Sequence, residues 1–403
     1  MKFKMNLLVV MENYPLPMRS GGAIVGYNTI QQLTQYHKID FICFRPESGG
    51  DELDSIVDNV YLISAQHDLA LQGRFRFFSR LLSFIYPGSS RQGDPHLYAA
   101  INNLVMAKAY DALLLFELSA VKHCHSALRR KMVVNIEDPQ SIRISRMADL
   151  PVWSIGRRLK LKIRAWLTSR YEKAILPKIG SVLLLSKRDI EDFRKQGNYS
   201  NLAYVPYGVA QRKAIDISPY SNRKKAIVYS GNMFHPPNVD GALFFLNEIF
   251  PSVLQIEPSA ILWIVGADPD ERIRRAAQRY GSSIEITGRV ADVSSYVKSA
   301  VVSICPVRLE IGVQTKILES LSLGTPVVTT GAGNRGIGAT AGRHLHVEDD
   351  VERFAKKVCE LFRGENWENL SAEGRRFAAE HFSWEESARQ LDGHVLALTG
   401  GGR

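Results

Sequence analysis

The sequence contains few cysteines and no long hydrophobic run. Four cysteines are spread over 403 residues without the Cys-x-x-Cys spacing of zinc or redox motifs, so we interpret them as reduced core thiols. They are Cys43, Cys124, Cys305 and Cys359. No stretch reaches the roughly 18 to 20 uninterrupted apolar residues that a transmembrane helix needs. The apolar N-terminal run is interrupted by Asn6 and lacks a cleavage site, which favours a buried strand over a signal peptide. We therefore expect a cytoplasmic or membrane-peripheral protein.

Several motifs that would define other classes of protein are absent. No zinc-finger, helix-turn-helix or RNP pattern is present, so we expect no nucleic-acid partner. The segment SGGAIVG after the first predicted strand is not G-x-G-x-x-G, which argues against a dinucleotide-dependent dehydrogenase. His123, Cys124 and His125 are too close in sequence to share one helix face, so they do not predict a metal site.

The alternation of short apolar runs with helical segments predicts two α/β domains built on parallel sheets. The composition, 45% hydrophobic and 23% charged, is that of a globular protein, and the length suits two cores. The predicted strands are residues 5–11, 39–44, 112–116, 132–136 and 182–185, then 226–232, 260–266, 283–288, 301–306 and 325–330. We predict domains at 1–208 and 226–380, a linker at 209–225 and a terminal helix at 381–403 that returns to the first domain. Two doubly wound, Rossmann-like domains would place their strand ends around one central cleft.

The segment RLEIGVQTKILESLSLGTPVVTT, residues 308–330, carries the strongest chemical signal. A buried strand leads into a loop containing Gly312, and a helix is predicted from Lys316 to Leu323. A helix N-terminus behind a glycine loop and beside a lysine is an anion site suited to a diphosphate. We expect Lys316, Arg308 and the helix N-terminus to neutralise the charge that develops on a leaving diphosphate. Composition alone would make Glu319 a solvent-facing carboxylate.

This segment resembles the signature of the retaining GT-B glycosyltransferases of family 4. That signature is a glutamate, seven residues, a second glutamate, and then a small-residue run ending in Gly-x-Pro-Val-Val. Glu319 matches the second glutamate, which the resemblance assigns to the donor's ribose hydroxyls. The first glutamate would fall at Ile311, with Glu310 one position early, so recognition of the donor sugar differs from the family's usual pattern. A bacterial exopolysaccharide branch fits better, through Gly312, Gln314, Lys316, Leu318 and Glu319, and we count Thr315 within this run among the candidate donor-binding residues.

The resemblance extends to other loops and implies further donor contacts. It places Gly231 and Asn232 at the donor phosphates, and Gly266, Gly288 and Arg289 along the nucleotide base pocket. In the first domain, Gly21 and Gly22 follow strand one and open a helix, where the resemblance implies proximity to the donor phosphate and the acceptor.

For the reacting centre, the resemblance points to the end of the predicted strand KMVVN in the first domain. We expect Asp138, and after it Glu137, to orient or deprotonate the acceptor hydroxyl. Capping of the following helix is the alternative role for these carboxylates. No enzyme nucleophile is evident, which agrees with attack by the acceptor from the face that the diphosphate leaves. Asp268-Pro269-Asp270 reads as a helix cap rather than a metal motif, and no metal or other cofactor is expected beyond the nucleotide sugar itself.

The net charge of +10 asks for an anionic partner. Residues 156–173 carry seven basic residues against the single acid Glu172, interleaved with leucine, isoleucine and tryptophan, and residues 74–91 add four arginines among aromatics. Such segments suit an anionic membrane surface on the inner face of the plasma membrane. A solvated helix that packs its apolar side into the core is the alternative.

Taken together, the sequence predicts transfer of a sugar, with retention, from a nucleotide diphosphate donor to a glycan or lipid-linked acceptor in cell-surface polysaccharide or glycolipid synthesis. The alternatives are a GT-B sugar-nucleotide epimerase or hydrolase, which lacks an acceptor, and a catalytically inactive membrane scaffold.

Overall fold

The structure, a computed structural model, describes residues 4–18, 20–47, 49–64, 94–151, 153–210, 218–310 and 312–400. The chain forms two compact units. Unit 1 comprises Met1–Ser145, Lys160–Gly208 and Trp384–Arg403, and unit 2 comprises Arg146–Leu159 and Val209–Ser383. The basic segment 74–91, residues 211–217 of the predicted linker and Ile311 lie outside the described residues.

Unit 1 is built on a parallel sheet that has, in the described part of the chain, seven strands in the order β3-β2-β1-β4-β5-β6-β7. They are β1 Asn6–Val10, β2 Lys38–Phe44, β3 Asn59–Ile63, β4 Ala112–Phe116, β5 Met132–Ile136, β6 Ser181–Leu184 and β7 Leu202–Tyr204. Helices of the first half of the chain are α1 Gly21–Leu33, α2 Pro95–Ala107, α3 Gln140–Ala148, α4 Ile155–Ile175 and α5 Lys187–Arg194.

The order of these strands reverses between β1 and β4. Both strands are almost entirely buried because they are continuous Val/Leu runs covered on both faces, and Leu8 pairs with Leu113 across them. The chain leaves β1 towards β2 and β3, then returns to build β4 to β7 on the other side. Parallel sheets bind ligands at the carboxyl ends of strands beside such a reversal, so the ends of β1, β4 and β5 are where unit 1 would bind one.

Unit 2 repeats this plan with six parallel strands among its described residues, in the order β10-β9-β8-β11-β12-β13. They are β8 Lys224–Ser230, β9 Ile261–Val265, β10 Ile284–Gly288, β11 Ala300–Cys305, β12 Val327–Thr329 and β13 His346–Val347. The later helices are α6 Pro236–Phe244, α7 Phe250–Ile256, α8 Glu271–Gln278, α9 Val293–Ser299, α10 Thr315–Ser322, α11 Gly331–Asn334, α12 Val351–Arg363, α13 Trp367–His381 and α14 Trp384–Leu398. Here the order reverses between β8 and β11.

One helical run in unit 2 is long and apolar enough by composition to cross a membrane, namely Pro236–Ile256, which joins α6 to α7 through a π-helical turn at Phe245–Ile249. It is the one such run in the described residues. Val239, Phe245, Phe250 and Val253 are buried within the core of unit 2, so this run is explained as a core helix.

The segment before β8 belongs to unit 2, whereas the sequence predicted a linker through residue 225. Arg223 is buried, and its guanidinium donates to Thr325 Oγ1 at 2.6 Å and to the carbonyl oxygens of Leu323 and Gly324 at 3.1 Å. It also lies over the ring of Trp367. A buried cation is stable only when acceptors satisfy its donors. These contacts of Arg223 therefore fix the segment before β8 to unit 2.

The terminal helix α14 lies in unit 1, where it packs against α1. His37 Nε2 and Asp392 Oδ1 are 2.6 Å apart, and both side chains are buried. A buried hydrogen-bonded pair is costly to break because either partner alone would be left unsatisfied.

Most predicted strands are confirmed, within a residue or two at the ends, and so is the predicted helix cap at Asp270. Ser186 accepts from the amides of Arg188 and Asp189, and Asp270 accepts from the amide of Arg272. Three short strands, β3, β7 and β13, were not predicted. They lie towards or at the edges of the sheets, where short, partly exposed strands have weak apolar patterns.

Candidate functional site

In unit 2, the ends of β8 and β9 approach each other through two glycines. Gly231 and Gly266 have φ of 148° and 154°, and a Cβ on Gly266 would lie only 1.7 Å from the carbonyl oxygen of Gly231. The space beside Gly231 is bounded by Asn238 and by Lys316, whose Cε would lie 3.4 Å from a Cβ there. Only glycine therefore lets the ends of β8 and β9 approach each other this closely beside Lys316.

Lys316 lies in the first turn of α10 and is held by helix α6. Its Nζ donates to Asn238 Oδ1 at 2.6 Å, and Asn238 Nδ2 donates to the carbonyl oxygen of Asn232 at 2.9 Å. The ammonium also lies 5.3 Å from the centre of the Tyr229 ring. Burial lowers the pKa of Lys316, because an ammonium loses hydration here. An anionic ligand bound beside Lys316 would stabilise its charged ammonium form.

Glu319 lies one turn after Lys316 on the same helix. It is half-buried, and burial raises the pKa of its carboxyl group, while Lys316 acts in the opposite direction. The alternative that composition alone favoured, a solvent-facing helix carboxylate, does not fit this position. Its position beside the lysine is compatible with the predicted contact to ribose hydroxyls.

The N-terminus of α10 is open to a ligand. Gln314 is the N-cap residue, but its side chain does not cap the helix, and Thr315 is the first helical residue. The first amides of an α-helix have no acceptor within the helix, so they point outward with the positive end of its dipole. Gly312 precedes them with φ of 51°, and a Cβ on Gly336 would lie 2.0 Å from its carbonyl oxygen.

Two predicted donor residues have partners that the sequence did not reveal. Arg308 donates to both carboxylate oxygens of Asp240, at 2.9 and 2.5 Å, so its charge is already balanced. Glu310 accepts from Arg335 Nη1 at 2.7 Å. A phosphate would have to compete with Asp240 for the guanidinium of Arg308. Lys316 is therefore the better cation for a diphosphate.

Two exposed predicted residues lie at the rim of unit 2. Asn232 is exposed, and its Oδ1 accepts from the amide of Phe234 at 3.3 Å. Arg289 follows β10 and lies 3.5 Å from Asp268, with both side chains 65% exposed. The described residues contain no group of three or more His, Cys, Asp or Glu side chains arranged to hold a metal ion.

In unit 1, the carboxyl ends of β1 and β4 and the N-terminus of α1 surround a pocket of about 220 Å³. Its lining includes Glu12 after β1, Glu117 after β4, and Ser20 and Gly22 at the start of α1. Glu117 has φ of 71°, an uncommon conformation for a residue with a side chain. Glu12 and Glu117 were not predicted as site residues, although each directly follows an apolar strand.

Glu137 faces the two predicted glycines. Cβ atoms on Gly21 and Gly22 would lie 3.2 and 3.0 Å from its carboxylate oxygens, so side chains there would collide with it. Burial raises the pKa of Glu137 to about 7, and the negative charges of Asp138 and Glu117 add to this effect. Its Oε1 is buried without a hydrogen-bond partner among the described residues.

Asp138 and Glu12 are in different electrostatic surroundings from Glu137. Burial raises the pKa of Asp138, opposed by Arg143, whose Nε lies 3.2 Å from Asp138 Oδ1. Burial opposes ionisation of Glu12 too, but His123 and Lys122 at 3.0 and 3.1 Å bring its pKa down to about 2. Carboxyl groups whose pKa values are driven apart in this way are typical of acid–base sites.

Glu172 is a further buried carboxyl group of unit 1, and its surroundings predict how stability depends on pH. It is buried on α4, its Oε1 accepts from the amide of Ser141 at 3.1 Å, and burial raises its pKa to about 7. Because the pKa is higher in the folded state than its unfolded value of 4.5, the protonated carboxyl group favours the folded state. This contribution to stability is complete below pH 4.5 and is lost as the pH rises through 7. Glu172→Gln should therefore increase the free energy of unfolding by about 3 kcal/mol at pH 8 and by about 1 kcal/mol or less at pH 5.

Urea unfolding at both pH values measures this difference. The control is Glu191→Gln, which removes an exposed ion pair with Arg188 and should change the stability by less than about 1 kcal/mol at either pH. Equal effects of Glu172→Gln at pH 5 and pH 8 would contradict the prediction.

The architecture matches solved glycosyltransferase structures along nearly the whole chain. Sucrose-phosphate synthase from Thermosynechococcus elongatus is similar with a TM-score of 0.70 at 16% identity, covering 98% of this chain and 100% of that one. Anabaena HepE in complex with UDP and glucose has a TM-score of 0.68 at 12% identity, with the same coverage. WaaG, a glycosyltransferase involved in lipopolysaccharide biosynthesis, has a TM-score of 0.65 at 15% identity, covering 98% and 100%. The predicted GT-B fold is confirmed.

Sequence comparison then gives the family. Residues 224–364 match the family described as glycosyl transferases group 1. An uncharacterised 44.6 kDa protein in the cps region of Klebsiella pneumoniae is 28% identical over 138 residues, which are 33% of this chain and 36% of that protein. The second unit thus carries the group 1 sequence, the whole chain has the GT-B fold, and the predicted resemblance to GT-B glycosyltransferases is confirmed.

Proposed function

We propose that this protein transfers a sugar from a nucleotide diphosphate donor to a glycan or lipid-linked acceptor, with retention and without a metal ion. The observation that carries the proposal is the site at the β8/β11 reversal. There, Gly231 and Gly266 let the ends of β8 and β9 approach closely, Lys316 lies at the start of α10, and Glu319 follows one turn later. Amides and an ammonium would hold the diphosphate, and the carboxylate would hold the ribose.

Unit 1 supplies the acceptor chemistry in this proposal. Glu137 lies over Gly21 and Gly22 with a buried oxygen that has no hydrogen-bond partner among the described residues and a pKa near neutrality, so it suits the role of accepting the proton of an acceptor hydroxyl. Asp138 faces Arg143 and would position the strand end. The sequence ranked Asp138 first, whereas this geometry supports Glu137.

The cellular role is also a proposal. HepE has been solved with UDP and with UDP-glucose, and WaaG acts in lipopolysaccharide biosynthesis. The relative in the cps region points in the same direction. We propose synthesis of a cell-surface polysaccharide or glycolipid, at the cytoplasmic face of the plasma membrane.

A thermal-shift screen of UDP-, GDP-, ADP- and dTDP-sugars tests donor binding, because a ligand that binds only the folded state raises Tm. Incubation of the stabilising, radiolabelled donor with lipid-linked and free glycan acceptors then tests transfer, and NMR of the product reads the anomeric configuration. We expect one nucleotide series to raise Tm and a product that keeps the donor's configuration. If the donor is epimerised or hydrolysed without an acceptor, the protein is an epimerase or a hydrolase and not a transferase. If no donor binds, the protein acts as a catalytically inactive scaffold.

A further inference from the structure

Helix α4, Ile155–Ile175, exposes an apolar stripe to solvent. Ile155, Leu159, Ile163 and Trp166 are 86%, 62%, 48% and 58% exposed. Their spacing of four, four and three residues places them within about 80° of arc on one side of the helix, at about 100° per residue. Single exposed apolar residues are common in soluble proteins, but four in a row along one face mark an interaction surface.

The same helix uses a different side to pack against the protein. Its buried residues are Leu161, Ala165 and Glu172, which lie roughly 140° around the helix axis from the centre of the stripe. The apolar stripe is therefore not the packing face of a core helix. This excludes the simple alternative that the helix hides its apolar side in the core.

Basic residues flank the stripe, and the helix exposes no acid. The exposed basic residues of α4 are Arg157, Arg158, Lys160, Lys162, Arg170 and Lys173. Glu172 is the acidic residue of the helix, and it is buried. The Arg170 guanidinium lies over the Trp166 ring at 5.0 Å from its centre, so a cation and an indole share one spot of the surface.

We propose that the stripe formed by Ile155, Leu159, Ile163 and Trp166 docks on an anionic lipid bilayer. Apolar side chains would enter the acyl boundary, the indole would lie at the headgroup level, and the flanking cations would face anionic headgroups. A protein partner of ordinary composition would not require a face that is both apolar and free of exposed acid. The proposal concerns the helix alone and is measured without donor or acceptor, so it stands or falls separately from the transfer reaction.

Flotation of the full chain with phosphatidylglycerol/phosphatidylcholine vesicles at low and high salt tests this surface. We expect binding to the mixed vesicles, weaker binding at 0.5 M salt, and little binding to pure phosphatidylcholine. The variant Ile163→Ser/Trp166→Ser should bind roughly tenfold more weakly with an unchanged Tm. Met106→Ser, which removes a similarly exposed apolar residue from α2, should bind like the wild type.

A second variant separates charge from insertion. Lys160→Gln/Lys173→Gln should lower binding at low salt and reduce its dependence on salt. Equal binding of the wild type and the Ile163→Ser/Trp166→Ser variant to anionic vesicles would overturn the proposal. So would an absence of vesicle binding combined with self-association in analytical ultracentrifugation that this variant abolishes, because the stripe would then be a contact between copies of the chain.

Discussion

Replacing Lys316 with methionine is expected to lower kcat by about 10²- to 10³-fold, the loss typical of removing one preorganised group that stabilises developing charge. Methionine keeps much of the apolar length of the side chain but cannot neutralise a diphosphate. Because burial lowers the pKa of Lys316, the ammonium is costly to the fold, and its removal should leave the free energy of unfolding equal or higher. Loss of activity without loss of stability is therefore the expected pattern.

Steady-state kinetics with the donor found in the thermal-shift screen measures this effect, and calorimetry with the matching nucleoside diphosphate measures affinity. Lys356→Met, on the exposed side of α12, is the matched control and should behave like the wild type. The double variant Lys316→Glu/Glu319→Gln should abolish measurable binding of the nucleotide. Unchanged nucleotide affinity in this folded double variant would refute the assignment of the site to a sugar nucleotide.

Replacing Glu137 with glutamine is expected to lower kcat by about 10²- to 10⁴-fold, as for loss of a general base. The active form is the carboxylate, so kcat/KM of the wild type should rise with pH, pass its midpoint near 7 and level off above it, since the pKa of Glu137 is raised to about 7. In Glu137→Gln this rise of kcat/KM with pH should disappear. Glutamine cannot ionise, so it also avoids the cost of a buried charge at pH 8.

Rate profiles from pH 5.5 to 9 for the wild type, Glu137→Gln and Asp138→Asn check this assignment. Asp138→Asn removes the ion pair with Arg143, and its rate profile should still show the rise of kcat/KM with a midpoint near pH 7. Glu352→Gln, an exposed substitution on α12, is the control. If kcat/KM of Glu137→Gln still rises with pH around 7, another group accepts the proton, and Glu117 is the next candidate in the pocket.

The positions of the candidate site residues were predictable where local sequence sets local structure. The strand, glycine loop and helix from Ala300 to Ser322 follow from apolar runs and from turn residues, so Lys316 could be placed in the first turn of α10 without the structure. The same holds for Glu137 and Asp138, which follow a buried strand. In both units, the carboxyl edge of a parallel sheet made these positions candidates.

The partners of these residues were not predictable, since they lie far away in the chain. Asn238 holds Lys316 from 78 residues away, and Asp240 pairs with Arg308 across 68. No local pattern encodes such pairs. A polar residue in the first turn of the apolar helix α6 was the only signal, and it is ambiguous by itself.

The sequence by itself determined the two α/β units, the helix α10 behind its glycine loop and the basic character of α4, because backbone periodicity and charge are properties of short segments. Only the tertiary structure decided that Arg308 is already neutralised, that Glu137 rather than Asp138 has the free oxygen, and that the apolar stripe of α4 faces solvent. Each of these depends on which distant groups share a low-dielectric environment, and that is fixed by packing between segments rather than within them.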